Sequence, residues 1–321
     1  MSLKKVIDCI KKHKIFLITS HQNLEGDALG SEIAFYNLIK KLGKSAIIVN
    51  QDPLPQEYAN LLDSRIIKRY QHNMKLKFDC IVMLDCSDKS RCGSVIEQVM
   101  SDQPIVNIDH HISNIKFGDV NWVLPTASSV SEMIYRLYKS MHIKIDIATA
   151  KALYVGILTD TGSFRYINTT SFTHKVVAEL LKFNLDVPEI YRYIYESVSF
   201  SDMSLLPKIL LTLQKDASGR IITFEIRKEL LKGRKVYFDL TENVLNFGRF
   251  IRGREVCVLF KELPDKRGQI RVNFRSQGRI DVNRIAQYFG GGGHKTASGC
   301  TVSGSLKNVK RKVINKIKEQ L

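Results

Sequence analysis

Three adjacent residues able to bind a metal or carry a proton, Asp109, His110 and His111, close the apolar run Pro104-Ile105-Val106-Asn107-Ile108. Comparable groups recur where other apolar runs stop: His21 after Ile15 to Thr19, Asp85 after Cys80 to Leu84, and Asp160 after Ala152 to Leu158. Four carriers at four element ends point to one convergent site. The stretch Ser20 to Ser31 adds Glu25 and Asp27 to the loop that holds His21, with no cysteine in it. Carboxylate and imidazole suit Mn²⁺ or Mg²⁺, whereas thiolates would favour zinc. A polar loop with a helix cap would have the same composition, and Asp160 fits a capping residue equally well. Gly26 lets the backbone turn between Glu25 and Asp27, so that the two acids can face separate ions. Asp85 at a strand end can bridge two metals, and two ions roughly 3.5–4 Å apart can activate water and stabilise an in-line phosphoryl displacement. His110 and His111 project to opposite sides of an extended chain, so one imidazole can bind metal while the other meets substrate. Asp79 and Asp88 read as cap or loop acids. His13, His72, His142 and His174 sit among polar or basic residues and receive no role.

These groups need a scaffold, and the apolar pattern supplies one. Ile15 to Thr19 reads as a strand; Ala28, Leu29, Ile33, Tyr36, Ile39 and Leu42 then follow at helical spacing, and Gly43 ends the helix. Ala46 to Val49, Cys80 to Leu84 and Ile105 to Ile108 are continuous apolar runs, as expected in a parallel sheet covered on both faces. Helices are predicted over Ser129 to Met141, Ile147 to Leu158, Phe172 to Phe183 and Pro188 to Glu196. The first half is therefore α/β, with a mostly parallel sheet flanked by helices. Ligands of such sheets bind at the carboxyl ends of the strands, where His21, Asp85 and Asp109 fall. The polar segment starting at Ser197 reads as a linker, giving a first domain of residues 1–196, a linker of 197–208 and a second domain of 209–321. The second is smaller and mixed α/β, with strands Ile221 to Ile226 and Val256 to Phe260. Pro264 to Gly268 is expected to turn into Gln269 to Arg275, and a helix from Val282 to Phe289 runs into Gly290-Gly291-Gly292-Gly293-His294. Glycines there can let backbone amides approach an anion, although a flexible tether would look the same. Arg165, after Asp160, can meet a phosphate bidentately.

Composition sets the bounds. With 321 residues and 44% hydrophobic content the chain can bury two ordinary cores. No apolar run reaches the roughly 20 residues that cross a bilayer, and the N-terminus has no signal-peptide core, so a cytoplasmic protein without membrane contact is expected. Six scattered cysteines read as reduced packing thiols. The net charge of +17, from 49 Lys and Arg against 32 acids, favours a polyanionic partner such as nucleic acid or nucleotides.

Taken together, the motifs resemble the DHH phosphoesterases that carry a DHHA1 domain, in particular the branch of short-RNA nucleases and 3′-phosphoadenosine 5′-phosphate phosphatases. The likeness rests on His21 to Ser31, Leu84 to Asp88, Asp109-His110-His111, Gly156 to Gly162 and Gly290 to Gly299, in that order. It implies a DHH catalytic domain and a DHHA1 substrate-binding domain, with a binuclear Mn²⁺ site, Mg²⁺ being an alternative, in a cleft between them. One ion would be held by His21, Glu25 and Asp85, the other by Asp27, Asp85, His110 and Asp160. Asp109 would fix imidazole geometry and His111 would lie near the scissile phosphate. Arg275 and Ser276 resemble a substrate-anchoring segment, alongside Gly291, Gly292, Gly293 and His294. Two positions depart from the pattern: Glu25 stands where Asp is usual, lengthening the reach to the first ion, and Ser163 where some relatives have Arg. The implied activity is hydrolysis of very short RNA to mononucleotides and dephosphorylation of nucleoside bisphosphates. Hydrolysis of cyclic or linear dinucleotides is the next reading, polyphosphate or pyrophosphate hydrolysis the third, and a non-catalytic nucleic-acid-binding protein the competing class. A homodimer is left open.

Overall fold

β-Branched and aromatic residues form β1 (Ile15–Thr19), a central strand of the first of two sheets in this computed structural model, which describes residues 2–99, 102–232, 240–264, 266 and 268–321. β1 is joined by β2 (Ser45–Asn50), β3 (Ile67–Arg69), β4 (Cys80–Leu84), β5 (Ile105–Asp109) and β6 (Val120–Val123) in the order β3-β2-β1-β4-β5-β6, with all pairs parallel. Alternate residues feed opposite cores: Phe16 and Ile18 pack on one face, Leu17, Ile81 and Met83 on the other. That explains why the strands read as unbroken apolar runs. The chain builds outward from β1 in one direction and from β4 in the other, so the strand order reverses between them. In an open parallel sheet this switch point leaves a crevice at the strands' carboxyl ends, and His21 and Asp85 flank it.

The helices over this sheet pack closely. α1 (Ser2–Lys12) precedes β1, and α2 (Gly26–Lys41) starts directly after the His21 loop. The helix Val130–Ser140 is capped by Ser129, whose hydroxyl accepts from Glu132 N, and Ile147–Asp160 by Asp146, which accepts from Thr149 N. A Cβ on Gly30 would come within 2.3 Å of the Ala152 carbonyl oxygen, and one on Gly156 within 2.0 Å of Ser131 Oγ. Gly30→Ala is therefore expected to destabilise the protein by about 1–3 kcal/mol, the usual range for overpacking a core. The urea midpoint of the variant checks this; an unchanged midpoint would mean that the two helices can separate without cost.

The chain divides into units of Met1–Ser197 and Val198–Leu321. In the second, β7 (Gln214–Lys215), β8 (Ile221–Ile226), β9 (Val256–Glu262), β10 (Gln269–Ser276), β11 (Gly292–Gly293) and β12 (Ala297–Ser303) form a mixed sheet, ordered β11-β12-β10-β9-β8-β7. β8 and β9 run parallel, and the other pairs are antiparallel. The α/β class with a mixed second domain is thus what folds. Of the expected turn between β9 and β10, Asp265 and Arg267 lie outside the described residues.

The segment 197–208, read from the sequence as a linker, holds ordered structure. It contains the short helix Phe200–Met203, capped by Ser199, and the start of a second, Leu206–Leu210. Leu205, Leu206 and Ile209 are buried against β8 and β9 residues such as Phe224 and Leu259. Ser and Asp made the segment look polar, but its leucines lie on the inner side. The N-terminal helix α1 was not anticipated at all.

Candidate metal centre

His21 leaves β1 almost fully buried, and its Nδ1 lies 2.7 Å from the Gln22 carbonyl oxygen. With Nδ1–H donating there, Nε2 is left to face the acids, 3.4 Å from Asp85 Oδ2 and 3.9 Å from Glu25 Oε1. Glu25 is the N-terminal flank of α2 and makes no capping bond; its side chain is 68% exposed, so it joins the cluster from the rim.

Asp85 is the hub. It follows β4 with a φ of 53°, a left-handed conformation that a non-glycine residue adopts at a cost, and such positions gather at functional sites. Its Oδ1 lies 3.7 Å from His110 Nε2 and 3.5 Å from His111 Nδ1. His110 is oriented by the Ala127 carbonyl, 3.2 Å from its Nδ1, while its Nε2 is 3.3 Å from Asp160 Oδ2. Asp160 is the last residue of the helix Ile147–Asp160, as its position after an apolar stretch suggested. Asp27, in the first turn of α2, accepts from Val130 N at 2.6 Å and Ser131 N at 2.8 Å, so it also anchors the start of the helix Val130–Ser140.

Asp109 is fully buried at the end of β5. Its Oδ1 accepts from His110 N at 2.9 Å and lies 2.7 Å from His111 Nδ1, and its Oδ2 accepts from Asn114 Nδ2 at 2.6 Å. Burial opposes its charge, but His111 beside it holds the carboxyl below the usual range. Asn114 and Asn168 were missed by sequence reasoning; Asn168 Nδ2 donates to the Asp160 carbonyl at 3.1 Å. Nothing local marks a lone asparagine for such a task. Arg165 is exposed, and its Nε donates to the Gly162 carbonyl.

In the second unit, Arg275 bonds to Glu242 through Nη2 and donates from Nη1 to the Phe274 carbonyl, and the Ser276 hydroxyl donates to the Ile280 carbonyl. The glycine run is no tether. Gly292 and Gly293 pair with β12, and a Cβ on Gly291 would meet the Gly299 carbonyl at 2.2 Å. The Gly291 amide donates to Ala286 O and the His294 amide to Ala297 O, so those two N–H groups serve the fold.

Residues 15–157 match the DHH family, N-terminal domain, and residues 235–321 match the DHHA1 domain. The chain carries a DHH domain and a DHHA1 domain. It is a metal-dependent phosphoesterase, and it resembles named relatives along nearly its whole length. A Thermus thermophilus protein named bifunctional oligoribonuclease and PAP phosphatase NrnA is 28% identical over 311 residues, 95% of this chain and 89% of that one. The Bacillus subtilis protein of the same name is 28% identical, covering 93% of this chain and 92% of its own. In fold, the chain matches an exopolyphosphatase-related protein from Bacteroides fragilis with a TM-score of 0.89 at 24% identity, over 99% of this chain and 96% of that one.

The DHH donors fit a divalent cation. His21, Glu25 and Asp85 bring ligand atoms within 4.8 Å of one another, and so do Asp27, His110 and Asp160. Asp85 Oδ1 is buried without a hydrogen-bond partner among the described residues, a cost that a bound cation would remove. The set is oxygen and imidazole nitrogen throughout, which favours Mg²⁺ or Mn²⁺ over softer ions.

Without a cation, protons take its place. Burial lowers the pKa of His21, but Asp85 overrides it and raises the value to about 9. His110 behaves alike, burial being outweighed by Asp160 and Asp85, again to about 9. Each histidine starts from 6.5, so its stabilisation is complete below pH 6.5 and is lost as pH rises through 9. Glu32, pushed up to about 8 by burial, acts in the same direction, favouring the fold only while protonated. The metal-free protein should therefore melt at a lower temperature at pH 9 than at pH 6.5. Affinity for Mn²⁺ should rise across that interval, because the cation competes with protons. Thermal unfolding in chelator and calorimetric Mn²⁺ titration at both pH values check this, and a melting temperature that climbs with pH would contradict it.

Proposed function

We propose that the chain is a binuclear, Mn²⁺-dependent phosphoesterase that hydrolyses very short RNA to mononucleotides and removes a phosphate from 3′-phosphoadenosine 5′-phosphate. The observation that carries this reading is Asp85, a buried carboxylate with one oxygen toward His21 and the other toward His110. That is where a ligand shared by two cations would stand, with His21 and Glu25 on one side and Asp27, His110 and Asp160 on the other. The named relatives supply the substrate class. Cations bound there would activate a water for in-line attack and neutralise the phosphoryl oxygens.

The chain's own groups do the rest. Asp109 Oδ1 holds His111 by Nδ1, which turns Nε2 outward and lets His111 give a proton to the leaving oxygen. The Gln22 and Ala127 carbonyls fix the tautomers of His21 and His110, so that both present Nε2. Residues 1–196 form the catalytic domain in this reading, and residues 209–321 bind substrate. Arg165, Arg275, Ser276, Gly291 to Gly293 and His294 are its proposed contacts for the base or terminal phosphate. Arg275 would exchange Glu242 for a substrate phosphate, whose two oxygens its planar guanidinium can meet bidentately.

The test uses metal-stripped full-length protein with Mn²⁺ or Mg²⁺ added back, a 5′-labelled RNA trinucleotide and 3′-phosphoadenosine 5′-phosphate. Metal-dependent release of mononucleotide and of phosphate supports the reading. Turnover of linear dinucleotides alone would replace it with the narrower activity, and no turnover with metal bound would remove it.

A further inference from the structure

We propose that Cys9, His13 and Cys80 form a second metal site, for a soft divalent cation such as Zn²⁺, at the end of the parallel sheet away from the DHH cluster. Cys9 lies on the buried face of α1, His13 one turn later just beyond its end, and Cys80 begins β4. Asp85 follows the opposite end of that strand, about 16 Å away at the rise of an extended chain.

The geometry carries the proposal. Cys9 Sγ lies 3.8 Å from Cys80 Sγ and 3.4 Å from His13 Nδ1. A tetrahedral zinc ion with bonds of about 2.3 Å to sulfur and 2.0–2.1 Å to nitrogen has S···S edges of about 3.8 Å and S···N edges of about 3.5 Å. The three donor atoms all lie within 4.8 Å of one another, so a single ion can reach them together. Both thiols are buried and His13 is half-buried. A surface recess of about 330 Å³, lined by Asp8, Cys9, Lys12 and His13, gives an ion a path and room for a water as fourth ligand.

His13 can turn toward an ion without leaving a group stranded. Its Nδ1 is also 2.9 Å from the Cys9 carbonyl, but that oxygen accepts from His13 N at 3.2 Å as well. Charge favours the first thiolate, while the Cys80 proton, held by its bond to Cys9 and by burial, has to be displaced by the ion itself. The Cys80 thiol donating to Cys9, against the opposing effect of burial, draws Cys9 down to about 6, with His13 and Lys12 helping. The two sites differ in kind: the DHH donors contain no sulfur, whereas this one is thiolate-rich and selects softer ions. Occupied, it would tie α1 to β4 and stabilise the fold by mass action.

Co²⁺ added to the reduced, metal-stripped full chain tests this, because a thiolate-to-cobalt charge-transfer band in the near ultraviolet can arise only from sulfur ligands. The expected result is one equivalent of Co²⁺ with that band, bleached by Zn²⁺, lost in Cys9→Ser and Cys80→Ser, and kept in Cys86→Ser and Asp85→Ala. His13→Ala, a change near the surface, should keep the metal-free melting temperature and weaken Co²⁺ binding by more than about 100-fold, beyond what loss of a merely orienting residue costs. Absence of the band, or its survival in both Cys9→Ser and Cys80→Ser, overturns the proposal, as does unchanged affinity in His13→Ala.

Discussion

Asp85→Ala should lose at least about 10³-fold in kcat on short RNA, since even a residue that only orients a metal ligand costs roughly 10–100-fold. Asp85 faces His21 at 3.4 Å, and His110 and His111 at 3.7 and 3.5 Å, so no neighbouring side chain can take over its position. The loss should be accompanied by a fall in bound Mn²⁺, measured by metal analysis after gel filtration. A second signature separates this from misfolding. Asp85 is a main cause of the raised pKa of both His21 and His110. Without it, the pKa of both imidazoles should fall, that of His21 most, because Asp160 still raises His110, and the fall of melting temperature between pH 6.5 and 9 should flatten. A variant that keeps Mn²⁺ and turnover would remove Asp85 from the centre of the site.

Asp27→Ala should have the largest effect on stability. Its carboxylate receives Val130 N and Ser131 N, the first two amides of the helix Val130–Ser140, in a setting where water cannot replace it. Stranding two buried donors and removing a carboxylate from a helix N-terminus should cost about 3 kcal/mol. At roughly 2–4 °C per kcal/mol for a unit of this size, the melting temperature of the metal-free protein should fall by about 6–12 °C. Burial, and Asp85 beside it, raise the Asp27 pKa to about 6, so its charge is itself strained. Asp27→Asn, which relieves the charge and keeps one acceptor, should therefore be the milder variant for stability while still losing activity. Equal melting temperatures for Asp27→Ala and the parent would mean that the helix starts without this anchor.

The residues that converge in the candidate centre were legible because they sit at the ends of patterned elements. The five-residue run Cys80–Leu84 announces a buried strand, and a carboxylate just beyond it has little reason to be there except function. The same logic found His21, Asp109 and Asp160. What the sequence hid depends on contacts across long separations. Asn114 becomes important only because β5 and its own loop bring it to Asp109. Asp27 reads as a metal-facing acid, and nothing nearby in the chain reveals that residues 130 and 131 depend on it. β3 and β6 went unread because they are short and only partly buried. His13 looked like a surface histidine, since its neighbour Cys80 lies 67 positions further on. In the second unit, four consecutive glycines suggested looseness, while the packing of Gly291 against the Gly299 carbonyl and of Gly293 against the Ala297 carbonyl shows that these two are small because β12 is close.

The reversal of strand order between β1 and β4 has a consequence for the newborn chain. His21 and Asp27 leave the ribosome early, but their companions arrive from β4, from β5 and finally from the helix ending at Asp160. At about 5–20 residues per second, on the order of 10 s separates synthesis of His21 from that of Asp160. Throughout that interval the emerging polypeptide holds only scattered donors, so a cation met during translation finds no cage to enter. Loading should accordingly wait until the whole first unit has emerged.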